Sequence, residues 1–142
     1  MKKREQIVKL DNLLQTITRE SDHLFMSILP QNITPAQFFL LKIITRVKDC
    51  KAKDIADILE ISPAAATNML ERLYKNNLIE RCRSAEDRRV VFIKLSQAGE
   101  EIFKELNQKR LEILEQLFDR VSEDELMQVT RILNKILSTT KA

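Results

Sequence analysis

Apolar positions along the chain fall into four helical stretches, one short alternating stretch and two further helical stretches. In residues 5–29, Ile7, Leu10, Leu14, Ile17, Ser21, Leu24 and Ile28 recur every three or four positions, with Leu13 and Phe25 widening the stripe. That spacing predicts an amphipathic helix. At 1.5 Å per residue it spans roughly 37 Å, long for a small domain, so its stripe needs a partner. Pro30 is expected to stop it. Thr34, Pro35 and Gln37 then read as a helix start: an N-cap hydroxyl, a first-turn proline and a glutamine that closes a capping box. The following "QFFLLKIITRV" is apolar on most sides and predicts a central core helix.

Two short helices follow in tandem, "AKDIADILE" (52–60) and "SPAAATNMLERLYKNN" (62–77), the second capped by Ser62 with Pro63 behind it. Ala56 is small enough for two helices to cross closely. The pair predicts a helix-turn-helix. At residue 78 the register changes: "LIERCRS" and "RVVFIKLS" are β-branched and partly alternating, separated by "AED". They predict a hairpin whose loop, lacking glycine, is longer than a two-residue primed turn. Helices resume at Ser96, with Ile102, Leu106, Ile113 and Leu117 along one stripe. After a capping box from Ser122 to Glu125, a second stripe carries Leu126, Val129, Leu133 and Ile136.

The predicted fold is therefore mainly α with a small β hairpin. A winged helix-turn-helix region (35–96) is flanked by an N-terminal dimerisation helix (1–34) and C-terminal dimerisation helices (97–142). The flanking stripes exceed what the middle can cover, which predicts packing on a second copy about a two-fold axis.

Charge and composition narrow the function. The net charge is only +3, from 24 basic and 21 acidic residues, so nucleic-acid binding requires a local concentration of cations. Gly99 is the one glycine and His23 the one histidine. That excludes glycine-rich phosphate loops and multi-histidine zinc sites, and no enzyme constellation, cofactor or metal is expected. Cys50 and Cys82 are too few for a disulfide framework and show no C-x-x-C spacing. The charged opening "MKKREQIVKLDNLLQ" and the lack of any run of about 18 apolar residues predict a cytoplasmic protein without membrane contact, its thiols reduced.

A helix-turn-helix followed by a charged hairpin has a specific physical logic. Its second helix enters the major groove, where base edges are distinguishable. The hairpin tip reaches toward a minor groove, whose negative potential attracts a guanidinium. Taken alone, "EDRR" (86–89) reads more readily as a solvated turn with weak local ion pairs, and the helix-turn-helix context reverses that.

The run "IADILEISPAAATNMLERLYKNNLIERCRSAEDRRVVFIKLSQAGEEI" (55–102) resembles the MarR family of bacterial transcription regulators. The likeness lies in "L-I-E-R" at the wing entry, Asp-x-Arg at Asp87 and Arg89, and "K-L-S-x-x-G" at 94–99. The resemblance implies that Arg89 enters the minor groove, Asp87 holds it, and Arg88 is a second wing contact. It also implies recognition-helix contacts at Ala64, Ala65 and Asn68. Asn68 is suited to pair with an adenine, and the alanines to approach a thymine methyl. Thr67 and Arg72 are candidates for a phosphate or base edge, and Ser62 leaves helix N-terminal amides near a phosphate. Glu60 stands where the family often has glycine, which implies either a left-handed residue, at about 1 kcal/mol, or another turn geometry. With few cations at the recognition-helix tip, affinity is expected to lean on the wing and on backbone contacts.

Family members commonly respond to a signal, either a small aromatic acid bound between the dimerisation and DNA-binding parts or oxidation of a cysteine early in the first helix. No cysteine precedes Cys50, so the second mechanism does not transfer. His23, Phe25, Met26, Phe38 and Phe39 are candidates for an apolar effector pocket, although aromatics at helical spacing also suit a core. Cys82, between Arg81 and Arg83, is a candidate redox site because cations lower a thiol pKa. Strand alternation argues the other way, since it points neighbours to opposite faces. Cys50, at a helix junction, is a weaker candidate.

The expectation is a homodimeric repressor on a pseudo-palindromic double-stranded DNA operator, with half-sites about 10 base pairs apart. Release would follow a small aromatic or other apolar effector, or a redox signal. The alternative is a winged-helix adaptor or antirepressor that binds protein rather than DNA.

Overall fold

Capping residues set where the helices begin. In the computed structural model, which describes residues 2–140, the chain runs α1 (Lys2–Met26), α2 (Pro35–Arg46), α3 (Ala52–Leu59), α4 (Pro63–Lys75), β1 (Ile79–Arg83), β2 (Val91–Leu95), α5 (Gln97–Leu117) and α6 (Glu123–Thr140). Met1 and residues 141–142, the outer ends of the two flanking spans, lie outside the described residues. Both capping boxes form. Thr34 Oγ1 accepts from the Gln37 amide at 3.2 Å while Gln37 Oε1 accepts from the Thr34 amide at 3.0 Å. Ser122 and Glu125 exchange the equivalent pair. Ser62 and Ser96 each cap their helix with one hydroxyl, on Ala65 and Gly99.

The first helix ends earlier than its apolar stripe predicts. After Met26 the bonds shorten to the i→i+3 type, from Ile28 N–H to the Phe25 carbonyl and from Leu29 N–H to the Met26 carbonyl. Pro30 disfavours helical backbone at the residue before it, so the winding fails upstream of the proline. Between α3 and α4 the left-handed alternative is taken: Glu60 has φ 54° and ψ 45°. It does so at a steric cost of about 1–2 kcal/mol, and the Ile61 amide then reaches back to the Ala56 carbonyl.

The core centres on α2, as its all-round apolarity predicts. Phe38, Leu40 and Leu41 are fully buried. Phe38 meets Phe25 of α1 edge-on at 4.8 Å and stacks with Phe103 of α5 at 5.5 Å. It therefore joins the flanking helices to the middle of the chain.

The strands pair antiparallel from Ile79↔Leu95 to Arg83↔Val91, leaving a loop over 84–90, longer than a two-residue turn. The Ile93 amide also donates to the Cys50 carbonyl at 2.7 Å, tying the hairpin to the entrance of α3. Its base is closed by Leu78, whose carbonyl accepts the Ser96 amide, while Ser96 Oγ donates to the Asn77 carbonyl at 2.6 Å.

The stripes of α1 and α6 remain largely uncovered within the chain. α6 has no buried residue, and α1 buries only Ser21 and Phe25.

Gly99 is required where α5 passes over the hairpin base. A Cβ there would lie 1.9 Å from the Leu78 carbonyl oxygen, a backbone atom that cannot swing aside. Gly99→Ala should therefore destabilise the fold by about 3 kcal/mol, read as a lowered urea midpoint by circular dichroism.

Candidate nucleic-acid interface

The recognition helix α4 packs Ala66, Leu70 and Leu73 inward. Ser62, Ala64, Thr67, Asn68 and Arg72 are exposed on its outer side, and Ala65 is half-buried. All six predicted positions therefore lie along one capped helix. Thr67 is restricted, because its hydroxyl donates to the Pro63 carbonyl at 2.9 Å, leaving the oxygen free only to accept. Asn68 and Arg72 are the longer polar side chains among these positions.

The wing tip is built by its own side chains. Ser84 Oγ accepts from the amides of Glu86 and Asp87 at 3.2 and 3.3 Å. The Ser84 amide donates to the Val90 carbonyl, and the Val90 amide to the Asp87 carbonyl. This places Asp87 beneath Arg89. Asp87 Oδ1 accepts from the Arg89 amide at 3.1 Å and from its Nε at 3.2 Å, while Oδ2 accepts from Nη2 at 3.3 Å. The fork orients the guanidinium yet leaves the Arg89 side chain 91% exposed. So exposed a pair contributes little stability, and its consequence is direction: a cation held outward at the tip. The Arg89 side chain, and next its amide, hold the Asp87 carboxyl below the usual aspartate range.

Two arginines went unassigned in the sequence reading. Arg83 Nη1 donates to the Arg88 carbonyl at 2.9 Å, propping the tip. Arg81 Nη2 meets Glu71 Oε1 of α4 at 2.7 Å, and its guanidinium lies 3.8 Å from the Tyr74 ring centroid. A cleft of about 320 Å³ between α4 and the hairpin is lined by Thr67, Glu71, Tyr74, Arg81, Arg83 and Ile93, among others. The signal was strand alternation: the parity that separates both arginines from Cys82 puts them together on the face toward α4.

The two thiols differ. Cys82 is exposed and Cys50 buried. Burial, and secondarily Asp54, push the Cys50 thiol up to about 11, so it stays protonated and poorly nucleophilic at neutral pH.

Of the expected pocket residues His23, Phe25, Met26, Phe38 and Phe39, the structure leaves His23 and Met26 exposed and Phe39 half-buried. Phe25 and Phe38 have no exposed surface. Helical phase is the reason: Phe25 shares the inward face with Ser21, whereas His23 and Met26 point the other way. Those two line an open trough of about 640 Å³ with Leu14, Gln15, Thr18, Arg19 and Asp22, all residues of α1. Phe39 instead sits under Arg110, whose guanidinium lies 4.8 Å from its ring centroid and 5.0 Å from that of Phe25. Among the described residues, Ser21 Oγ and Arg110 Nη1 are buried without a hydrogen-bond partner. Burial, then Arg46 and Arg110, lower the Lys42 ammonium.

A helix-turn-helix followed by a braced hairpin with an outward cation defines a winged-helix DNA-binding protein. The comparisons agree. The MarR family model matches residues 33–91. The chain is 32% identical to the HTH-type transcriptional repressor MdtR of Bacillus subtilis over 89% of this chain and 86% of that protein. It is 30% identical to the multiple antibiotic resistance protein MarR of Salmonella typhimurium over 93% of each. Among solved structures, a cysteine-to-serine mutant of Escherichia coli MarR complexed with operator DNA matches with TM-score 0.76 and 29% identity, over 93% of this chain and 96% of that one. A MarR family protein from Bacillus stearothermophilus matches with TM-score 0.81 and 25% identity, over 98% of each. The chain belongs to the MarR family of winged-helix transcriptional regulators. It is a DNA-binding regulator, not an enzyme. Among the described residues no helix is long and apolar enough to cross a membrane.

The Asp87 fork has a pH signature. A depressed carboxyl pKa means the pairing is fully present above the usual aspartate value and is lost as pH falls through the depressed one. In a carbon-13 NMR titration, Asp87 should titrate below the usual aspartate value, and Arg89→Ala should raise it toward that value. Equal titration in both proteins would count against the fork.

Proposed function

We propose that this chain is a homodimeric transcriptional repressor of the cytoplasm that binds a pseudo-palindromic DNA operator. The observation that carries the reading is Arg89, steered by Asp87 yet 91% exposed at the end of the hairpin. Its partner surface is the exposed side of α4, so each protomer would offer the major groove a helix and the minor groove a guanidinium. Asn68 and Arg72 would contact bases or phosphates, Ala64 and Ala65 would allow close approach, Ser62 and Thr67 would meet the backbone, and Arg88 would add a phosphate contact. A MarR solved on operator DNA supports DNA as the partner.

Dimerisation is supported by the uncovered stripes. Ile7, Leu10, Leu14 and Ile17 on α1 are exposed, as are Leu126, Val129, Leu133 and Ile136 on α6. Apolar exposure on this scale marks an interaction surface, and residues 1–34 and 97–142 would pair with a second copy around DNA-binding regions at 35–96. The α1 trough would gain its second wall from that copy.

Release by a small aromatic or other apolar effector suits the junction of α1, α2 and α5. There Arg110 lies over the Phe39 ring, and Arg46 and Arg110 both act on the Lys42 charge, so an acidic aromatic would answer both characters. Redox release through Cys82 has less support, because the nearest strand cations face α4 instead.

Selection from random duplexes by the wild-type protein tests the whole reading. It should return inverted repeats with half-sites about 10 base pairs apart, bound with a steep negative salt dependence. Arg89→Ala should weaken that binding by about 1–3 kcal/mol while sedimentation still reports a dimer. No enriched sequence, or unchanged binding by the variant, would refute the DNA-contact assignment, and a monomer in sedimentation would refute the dimer.

A further inference from the structure

Glu71 is an acidic residue on the very helix that faces a polyanion. By charge alone it is unfavourable there, since each uncompensated carboxylate repels phosphate. Its contacts give it another role. Glu71 Oε1 holds Arg81 Nη2 at 2.7 Å, and the Arg81 guanidinium is laid on the Tyr74 ring at 3.8 Å. Glu71 and Tyr74 stand three residues apart on α4, one helical face, whereas Asn68 and Arg72 point outward beside it. One arginine of the hairpin thus grips two side chains of the recognition helix, in two directions.

The same strand face carries the link onward. Arg83 stands two residues along β1 and donates to the Arg88 carbonyl at 2.9 Å. The next residue is Arg89, held by Asp87. Contacts therefore run from α4 through Arg81, along β1 to Arg83, and into the wing tip. Above the apolar floor of Leu70, Val91 and Ile93, a cleft of about 320 Å³ opens between α4 and the hairpin there. The polar contacts bridge that gap.

We propose that Glu71 and Arg81 are positioning residues that fix the angle and distance between recognition helix and wing, so that both meet their grooves at once. The proposal rests on the reading that α4 and Arg89 both touch DNA. Glu71 and Arg81 are each about half exposed, so their pair adds little to global stability, and variants should fold.

The test uses the full-length dimer, a duplex selected in vitro by the wild-type protein, and a random-sequence duplex of equal length. Glu71→Gln removes a repelling charge, so simple electrostatics predicts tighter binding to both. Positioning predicts the opposite for the selected duplex: a loss of roughly five- to tenfold, with random-duplex affinity unchanged or raised and the thermal midpoint unmoved. Arg81→Ala should lose a similar factor without changing the slope of log affinity against log salt. The reversed pair, Glu71→Arg with Arg81→Glu, should recover most of the loss. Glu71→Gln binding the selected duplex as tightly as wild type or tighter would overturn the proposal. So would an Arg81→Ala slope shallower by about 1, which marks a direct phosphate contact. Arg89→Ala separates the two levels: if it too leaves selected-duplex binding intact, the underlying DNA-contact reading fails. If it weakens binding while Glu71→Gln does not, only the positioning role fails.

Discussion

The carbonyl of Leu78 is the point on which the wing is mounted. It accepts the Ser96 amide, and the lone glycine lets α5 pass directly over it. Ser96 also donates its hydroxyl to the Asn77 carbonyl, and Asn77 itself is left-handed at φ 57°. The end of α4, the start of β1, the end of β2 and the start of α5 are thereby joined at one corner. An isolated two-stranded hairpin is at best marginally stable in water. It is anchored at this corner, and again where the Ile93 amide donates to the Cys50 carbonyl, so its exposed tip can hold a charge outward.

That anchoring explains how a nearly neutral chain can work on DNA. The overall charge of +3 provides little general attraction, and α4 carries few cations at its tip. Position must then do what charge density does not. The tip uses one carboxylate to aim one guanidinium and one serine to fold the loop beneath it. Even the restriction of Thr67, whose proton is committed to Pro63, fits a helix that relies on close approach and a few polar contacts.

Much of this was legible in the sequence because it depends on local rules. Thr34, Ser62, Ser96 and Ser122 sit where caps must sit, Glu60 marks the sharp turn between two helices, and the missing glycines lengthen the hairpin loop. The Asp87–Arg89 pair was legible only through the Asp-x-Arg likeness to the MarR family, since the residues alone read as a solvated turn. Features that depend on phase between elements were not. Phe25, Phe38 and Met26 look alike as apolar residues near a junction, yet a single residue step around α1 divides buried Phe25 from exposed Met26. Arg81 and Arg83 could be read only once the hairpin face toward α4 was known, and the last turn of α1 yielded to Pro30 although its stripe continued.

The same dependence on phase bears on how a signal could reach the DNA. Phe38 touches α1 and α5 together, and Arg110 lies over the rings of Phe25 and Phe39, so the flanking helices and the central helix share one packed junction. Packed aromatic junctions do not deform smoothly, and they shift between discrete arrangements. In the homodimer proposed above, a small displacement of α1 or α5 against α2 would alter the separation of the two recognition helices. Binding two half-sites at once tolerates little such change, because their spacing is set by the DNA helix itself. The effector proposed above, acting at this junction, would not need to approach the interface with DNA. It needs only a different affinity for two arrangements of Phe25, Phe38 and Phe39, and that difference bounds how far it can shift the equilibrium.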